Sequence, residues 1–148
     1  MIAMTTPTRI EKALYTAHAT SVGGREGRVT TDDGTVDLAL SMPKGLGGPG
    51  TAGTNPEQLF AAGYSACFGS ALAFVARQKK IATGPVKVDA HVSIGSVASG
   101  AFGLAVELVA HLPELPRDEA EALVAAAHQV CPYSNATRGN IVVDVKVA

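Results

Sequence analysis

The sequence has little of what nucleic-acid-binding and metal-binding proteins use. It contains no tryptophan, only 5% aromatic residues, and a formal net charge of −1 at pH 7. Because its Arg and Lys residues are scattered, we expect neither a basic surface nor an aromatic stacking platform for nucleic acid. The four histidines are dispersed, and only His128 and Cys131 share helical spacing. Two such residues are too few for a metal site, so we predict no metal.

Cysteine is also scarce: the two that are present, Cys67 and Cys131, lie 64 residues apart. The amino-terminal segment lacks the apolar core of a secretory signal, which predicts a cytoplasmic protein. Thiols stay reduced in that compartment, so a structural disulfide is not expected. Two interpretations remain open. The cysteines are small buried hydrophobic residues, or they form a thiol pair that cycles through a disulfide, one thiolate attacking and the other resolving.

The stretch from Asn55 to Lys80 predicts one long buried helix. Asn55 can cap it, and Pro56 suits the first helical position. Residues 59–76 carry no charge, which reaches the lower length limit for a membrane span. Their Ala, Gly and Ser content favours a helix buried in protein over one inserted in a bilayer, so we expect no membrane contact. A helix of about 26 residues is roughly 40 Å long, which indicates a homodimer.

The remaining periodicities predict an α+β fold with antiparallel sheets, in a single domain spanning residues 1–148. Alternating apolar residues place strands before and after the long helix, with a predicted hairpin turn at Asp32-Asp33-Gly34. A 3.6-residue period places a second helix near the carboxyl terminus. The predicted strands are 9–22, 25–31, 35–42, 86–94, 102–112 and 141–147, with a glycine-rich loop at 43–54 and the second helix at 117–130. Pro132 is predicted to end that helix. Its apolar stripe places Cys131 on the core-facing side, together with Ala120, Leu123, Val124 and Ala127.

A thiol surrounded by Ala and Phe side chains needs help to react. Burial raises its pKa and leaves it inert unless a cation stabilises the thiolate. Cys67 lies in such surroundings on the long helix, where it is predicted to share one stripe with Phe60, Gly63, Ala71 and Phe74. Arg25, which follows two glycines, could supply the cation, with Glu57 holding it through a bidentate ion pair. An arginine at this kind of position is also commonly a solvated surface charge.

Three segments resemble the organic hydroperoxide resistance protein family, which belongs to the superfamily of the osmotically inducible protein C. They are NPEQLFAAGYSACF around Cys67, VCPYSNATRGN around Cys131 and GGREGRV around Arg25. The resemblance covers nearly the whole chain. It implies an intertwined homodimer with its sites at the subunit interface. It also implies an oxidoreductase of the oxidative stress response, a peroxidase that reduces organic hydroperoxides, those of fatty acids especially, to alcohols.

The same resemblance implies a role for each site residue. Cys67 is then the peroxidatic cysteine and Cys131 the resolving one, while Arg25 stabilises the Cys67 thiolate and Glu57 forms a salt bridge with Arg25. It further implies no metal, haem or flavin cofactor. The disulfide is then reduced by an external dithiol, a lipoylated protein or dihydrolipoamide.

Two alternatives stand beside this function. One is a redox-sensing or hydrophobic-ligand-binding module whose cysteines oxidise once without turnover. The other is the osmotically inducible protein C branch, with similar chemistry and broader substrates. The motif around Cys131 favours the hydroperoxide branch.

Overall fold

A computed structural model of the chain describes residues 6–148. The chain divides between Thr54 and Asn55 into two compact units. The single domain predicted for residues 1–148 stays a prediction.

The amino-terminal unit contains a three-stranded antiparallel sheet in the order β1-β2-β3. Its strands are β1 (Ala19–Val22), β2 (Arg28–Thr31) and β3 (Asp37–Ala39). The predicted Asp-Gly turn joins β2 to β3, with Gly34 at φ 74. The Asp33 carboxylate stabilises this turn by accepting hydrogen bonds from the Thr31 hydroxyl at 2.7 Å and the Thr35 N–H at 3.0 Å.

The strands predicted at 9–22, 25–31 and 35–42 are longer than those observed. β1 begins at Ala19 because it pairs with only the four residues of β2, from Ala19↔Thr31 to Val22↔Arg28. Gly23 and Gly24 adopt positive φ values of 82 and 56, which L-residues with side chains rarely adopt. They turn the chain into a 3-10 helix, Gly24–Glu26. Arg25 therefore lies in a tight turn and not at the start of a strand. The glycine-rich loop is confirmed, with a short 3-10 helix at Lys44–Leu46.

The carboxy-terminal unit packs three helices against one sheet. Its elements, in chain order, are α1 (Pro56–Lys79), β4 (Lys87–Ser96), β5 (Phe102–His111), α2 (Arg117–Val130), α3 (Pro132–Thr137) and β6 (Val143–Val147). The predicted cap of α1 is confirmed, because the Asn55 side-chain oxygen accepts a hydrogen bond from the Gln58 N–H at 2.8 Å. The α2 range agrees with the predicted one at both ends.

The second sheet is mixed. β4 and β5 form the expected antiparallel pair over ten residues each, but β6 runs parallel to β5. The reason is the connection between β5 and β6, which consists of α2 and α3. A helical crossover returns the chain to the end of the sheet where β5 began, and this is what parallel pairing requires.

The third helix, α3, was not predicted from the sequence. Pro132 does end α2, as predicted, but it also occupies the first position of α3, where its missing N–H costs nothing. A helix of six residues completes fewer than two turns, so its sequence shows no apolar period.

The core lies between the helices and the sheet. Its fully or nearly fully buried side chains are Tyr64, Phe68, Leu72 and Val75 from α1, Val106, Leu108 and Ala110 from β5, and Ala120, Leu123, Val124 and Ala127 from α2. The α2 stripe is the predicted one. On α1 the buried stripe runs beside the predicted one, so that Cys67 is only half-buried while Tyr64 and Phe68 are fully buried.

Within residues 6–148, α1 is the one helix long and apolar enough to cross a membrane, with a mean hydropathy of 1.7. The core helices of water-soluble proteins can meet the same criteria of length and composition. The absence of membrane contact therefore stays a prediction.

The cap of α1 provides a test of the local sequence signal. Replacing Asn55 with Ala removes the acceptor for the Gln58 N–H and is expected to cost about 1 kcal/mol, which lowers Tm by roughly 2–4 °C. Asn55→Asp keeps an acceptor oxygen at the same position and is the matched control. Thermal unfolding followed by circular dichroism measures both. Equal losses in the two variants would show that the side-chain cap contributes no stability of its own.

Candidate active site

The two cysteines meet where α1, α2 and α3 pack together. Cys67 lies in the middle of α1, and Cys131 lies between α2 and α3. Both thiols are free, and their Sγ atoms are 3.5 Å apart. A disulfide bond is about 2.05 Å long. On oxidation, a small movement of the sulfurs toward each other would therefore allow a disulfide bond to form.

The two thiols differ in exposure. Cys131 is fully buried, whereas Cys67 is half-buried and lines a cavity of about 370 Å³. Residues from α1 and from the junction of α2 and α3 form the walls of this cavity, namely Ser70, Ala71, Phe74, Arg77, Val130 and Pro132. Of the two sulfurs, Cys67 is thus the one that a small molecule in this cavity can reach.

The surroundings of Cys67 raise the pKa of its thiol. Burial is the main cause, because a thiolate loses its hydration there. The Tyr133 backbone N–H opposes the shift by donating a hydrogen bond, while the Cys131 thiol adds to it. Within the carboxy-terminal unit, then, the Cys67 thiol is held in its protonated form.

An aromatic cluster packs α3 against α1 next to the site. The Tyr133 ring packs against Phe60 and Tyr64, with ring centroids 5.9 and 5.6 Å away. A Cβ on Gly63 would lie 2.8 Å from the Tyr133 hydroxyl oxygen, so any larger residue at this position would require the Tyr133 ring to shift. Phe60 and Tyr133 also line a second apolar cavity of about 570 Å³.

A buried polar cluster links the same three helices, α1, α2 and α3. The Ser134 hydroxyl is 2.8 Å from both the Tyr64 hydroxyl and the His128 Nδ1 atom. Burial lowers the pKa of His128, and the positive charge of Arg138 lowers it further. The imidazole is therefore neutral near pH 7. No role for Tyr64 or Ser134 was predicted from the sequence. The one feature of the sequence that connects these residues to the site is their spacing from the cysteines.

The structure places Arg25 and Glu57 in different units. Arg25 lies in the 3-10 turn of the amino-terminal unit, and Glu57 lies in the first turn of α1. Their roles toward Cys67 stay predictions. Among residues 6–148, no three His, Cys, Asp or Glu side chains are grouped so that they could hold a metal ion.

Comparison with known proteins identifies the family. A profile described as OsmC-like protein matches residues 47–146. The chain belongs to the OsmC-like family. It is 55% identical over 139 residues to the organic hydroperoxide resistance protein of Xanthomonas axonopodis pv. citri, an alignment that covers 93% of this chain and 97% of that protein.

Solved structures of OsmC-like relatives share this fold. An organic hydroperoxide resistance protein from Elizabethkingia anophelis, with thiocyanate bound, is 54% identical and superposes with a TM-score of 0.89, covering 93% of this chain and 98% of that one. The organic hydroperoxide resistance protein OhrB of Bacillus subtilis is 47% identical with a TM-score of 0.86, covering 92% and 100%. Together these relatives confirm the α+β fold class and the family resemblance derived from the cysteine motifs.

Proposed function

We propose that this protein is a thiol peroxidase that reduces organic hydroperoxides, those of fatty acids especially, to alcohols. The observation that carries the proposal is the distance of 3.5 Å between the sulfurs of Cys67 and Cys131. The names of the relatives, at up to 55% identity over nearly their full length, support resistance to organic hydroperoxides as the biological role.

The reaction begins at Cys67, which is the more exposed thiol and lines a cavity. Its thiolate attacks the distal oxygen of the hydroperoxide, a sulfur–oxygen bond forms, and the oxygen–oxygen bond breaks. The alkoxide takes a proton from solvent and leaves as the alcohol. Cys67 is then a sulfenic acid. The apolar part of the cavity wall, formed by Ala71, Phe74, Val130 and Pro132, favours the organic part of a lipid-like peroxide over hydrogen peroxide.

Cys131 completes the oxidative half of the cycle. Its sulfur attacks the sulfur of the Cys67 sulfenic acid and expels the oxygen as water, which forms the disulfide. An external dithiol then reduces the disulfide and is itself oxidised. We propose that a lipoylated protein or dihydrolipoamide supplies this dithiol and that no bound cofactor takes part. The cytoplasm is the proposed location, since the cycle requires that the thiols return to their reduced form.

We propose that Arg25 stabilises the Cys67 thiolate and that Glu57 holds Arg25 by an ion pair. The support is a physical requirement. Burial raises the pKa of Cys67 within the carboxy-terminal unit, so a cation is needed to form the thiolate near neutral pH. The leaving alkoxide needs the same positive charge in the transition state.

This role of Arg25 predicts a change in the ionisation of Cys67. In a Cys131→Ser background, the pH dependence of iodoacetamide alkylation reports the pKa of the remaining thiol. Arg25→Gln is expected to move the midpoint upward by about 1–3 pH units, because the thiolate loses its cation. Arg28→Gln removes the same charge from an exposed cross-strand pair with Asp37 and is the matched control. Equal midpoints in the two variants would exclude the role.

We also propose that the protein is an intertwined homodimer. Ile10, Leu14 and Tyr15 are 80%, 89% and 83% exposed in the single chain, which is unusual for three large apolar side chains so close in the sequence. Only 33% of the 18-residue apolar stretch of α1 is buried within the single chain. A second copy would cover both surfaces. Sedimentation equilibrium is expected to give twice the chain mass of 15.0 kDa, and Leu14→Asp is expected to weaken the association. A wild-type monomer at micromolar concentration would exclude this assembly.

The alternative, a sensor or ligand-binding module, differs in turnover. We expect the wild type to consume tert-butyl hydroperoxide continuously with excess dihydrolipoamide. Cys67→Ser should consume none, because the attacking sulfur is absent. Cys131→Ser should stop after about one equivalent, because its sulfenic acid is not resolved.

Replacing dihydrolipoamide with the thioredoxin system, at the same dithiol concentration, tests which of the two dithiols reduces the disulfide. A single stoichiometric oxidation of the wild type, with no recycling by either dithiol, would identify a sensor instead.

A further inference from the structure

A continuous run of hydrogen bonds connects α2, α3 and α1, the three helices that meet at the cysteines. We call it the hydroxyl chain and define it as His128, Ser134, Tyr64 and Thr137. The His128 Nδ1 atom is 2.8 Å from the Ser134 hydroxyl, which is 2.8 Å from the Tyr64 hydroxyl. The Tyr64 hydroxyl is in turn 3.2 Å from the hydroxyl of Thr137. Tyr64 and Ser134 are fully buried.

The direction of the hydroxyl chain follows from counting hydrogens. Thr137 donates its one hydroxyl hydrogen to backbone carbonyls, at 2.8 Å to Tyr133, so toward Tyr64 it can only accept. Tyr64 must then donate to Thr137, and Ser134 must donate to Tyr64. That leaves the Ser134 oxygen as the acceptor for the His128 Nδ1–H. Only in this direction are all three contacts hydrogen bonds, which assigns His128 the neutral tautomer protonated at Nδ1.

The position of the hydroxyl chain along the sequence relates it to the reacting sulfurs. Tyr64 lies three residues before Cys67, and His128 and Ser134 lie three residues before and after Cys131. On a helix, three residues is close to one turn. The hydrogen bonds therefore join the turn next to one cysteine to the turns on both sides of the other.

We propose that Tyr64, Ser134 and His128 are positioning residues that hold Cys131 against Cys67 for disulfide formation. The proposal rests on the proposed function, since it concerns the second step of that cycle. The Cys131 sulfur attacks the Cys67 sulfenic sulfur, the sulfur–oxygen bond breaks, and water leaves with the hydrogens of the sulfenic acid and the thiol. Holding two reacting groups in contact is a large source of rate acceleration. The first step, attack on the peroxide, does not involve Cys131 and does not need this alignment.

The test compares the two steps in Tyr64→Phe and wild type. Reduced protein is mixed with one equivalent of tert-butyl hydroperoxide. Dimedone trapping then measures the sulfenic acid, and alkylation of the remaining thiols measures the disulfide. Tyr64→Phe keeps the ring but removes the tie between α1 and α3. We expect disulfide formation to slow about tenfold, with more trapped sulfenic acid and an unchanged first step. Ser65→Ala, which removes an exposed hydroxyl from the same helix, should behave as wild type.

Equal slowing of both steps, or an unchanged second step, would overturn the proposal. If the organic hydroperoxide leaves Cys67 of the wild type unoxidised, the proposed function fails, and that result is distinct from a failure of positioning. Excess hydrogen peroxide then generates the sulfenic acid, and the second step is compared in the same way.

The tautomer of His128 gives a spectroscopic test that needs no oxidation. ¹⁵N NMR should show wild-type His128 protonated at Nδ1. Thr137→Val removes the acceptor for Tyr64, so the Tyr64 hydroxyl hydrogen has an acceptor only if Tyr64 donates to Ser134 and Ser134 donates to His128. His128 should then be protonated at Nε2. Thr137→Ser restores the hydroxyl and should restore the Nδ1 form. The same tautomer in Thr137→Val and wild type would overturn the assigned direction and, with it, the continuous chain.

Discussion

The contact between the two sulfurs depends on how three helices pack. Cys67 comes from the middle of α1, and Cys131 from the junction of α2 and α3, so neither residue can adjust independently of a helix. Core side chains of α1 and α2 set the distance between these helices, and close packing leaves little freedom to change it. The separation of 3.5 Å is therefore a property of the whole core.

This packing imposes an electrostatic cost on the reactive thiol. The apolar surroundings that suit an organic substrate also raise the pKa of Cys67. Chemistry near neutral pH then requires compensating charge, which in the proposed mechanism comes from Arg25. Polar groups that the core does contain are satisfied: within residues 6–148, no buried side-chain nitrogen or oxygen lacks a hydrogen-bond partner. Such polar groups add directional bonds to a core whose apolar contacts are not directional.

The elements that the sequence predicted well carry strong local signals. The cap at Asn55, the following proline and the long uncharged run predicted α1 to within one residue at each end. The α2 stripe was predicted in full, including the burial of Cys131. Short strands were predicted less well, because a strand such as β1 exists only where a neighbouring strand pairs with it. The parallel pairing of β6 was likewise invisible, since it depends on where the α2–α3 connection returns the chain.

By itself, the sequence determined α1 and α2 and, through motif resemblance, the family. It also predicted a role for each site residue. These properties are local or are read from short segments. The tertiary structure decided that the two sulfurs, 64 residues apart, are in contact, and that Tyr64, Ser134 and His128 are hydrogen-bonded to one another. Helical periodicity reports which face a residue occupies, but the distance between residues on separate helices depends on how all of their neighbours pack.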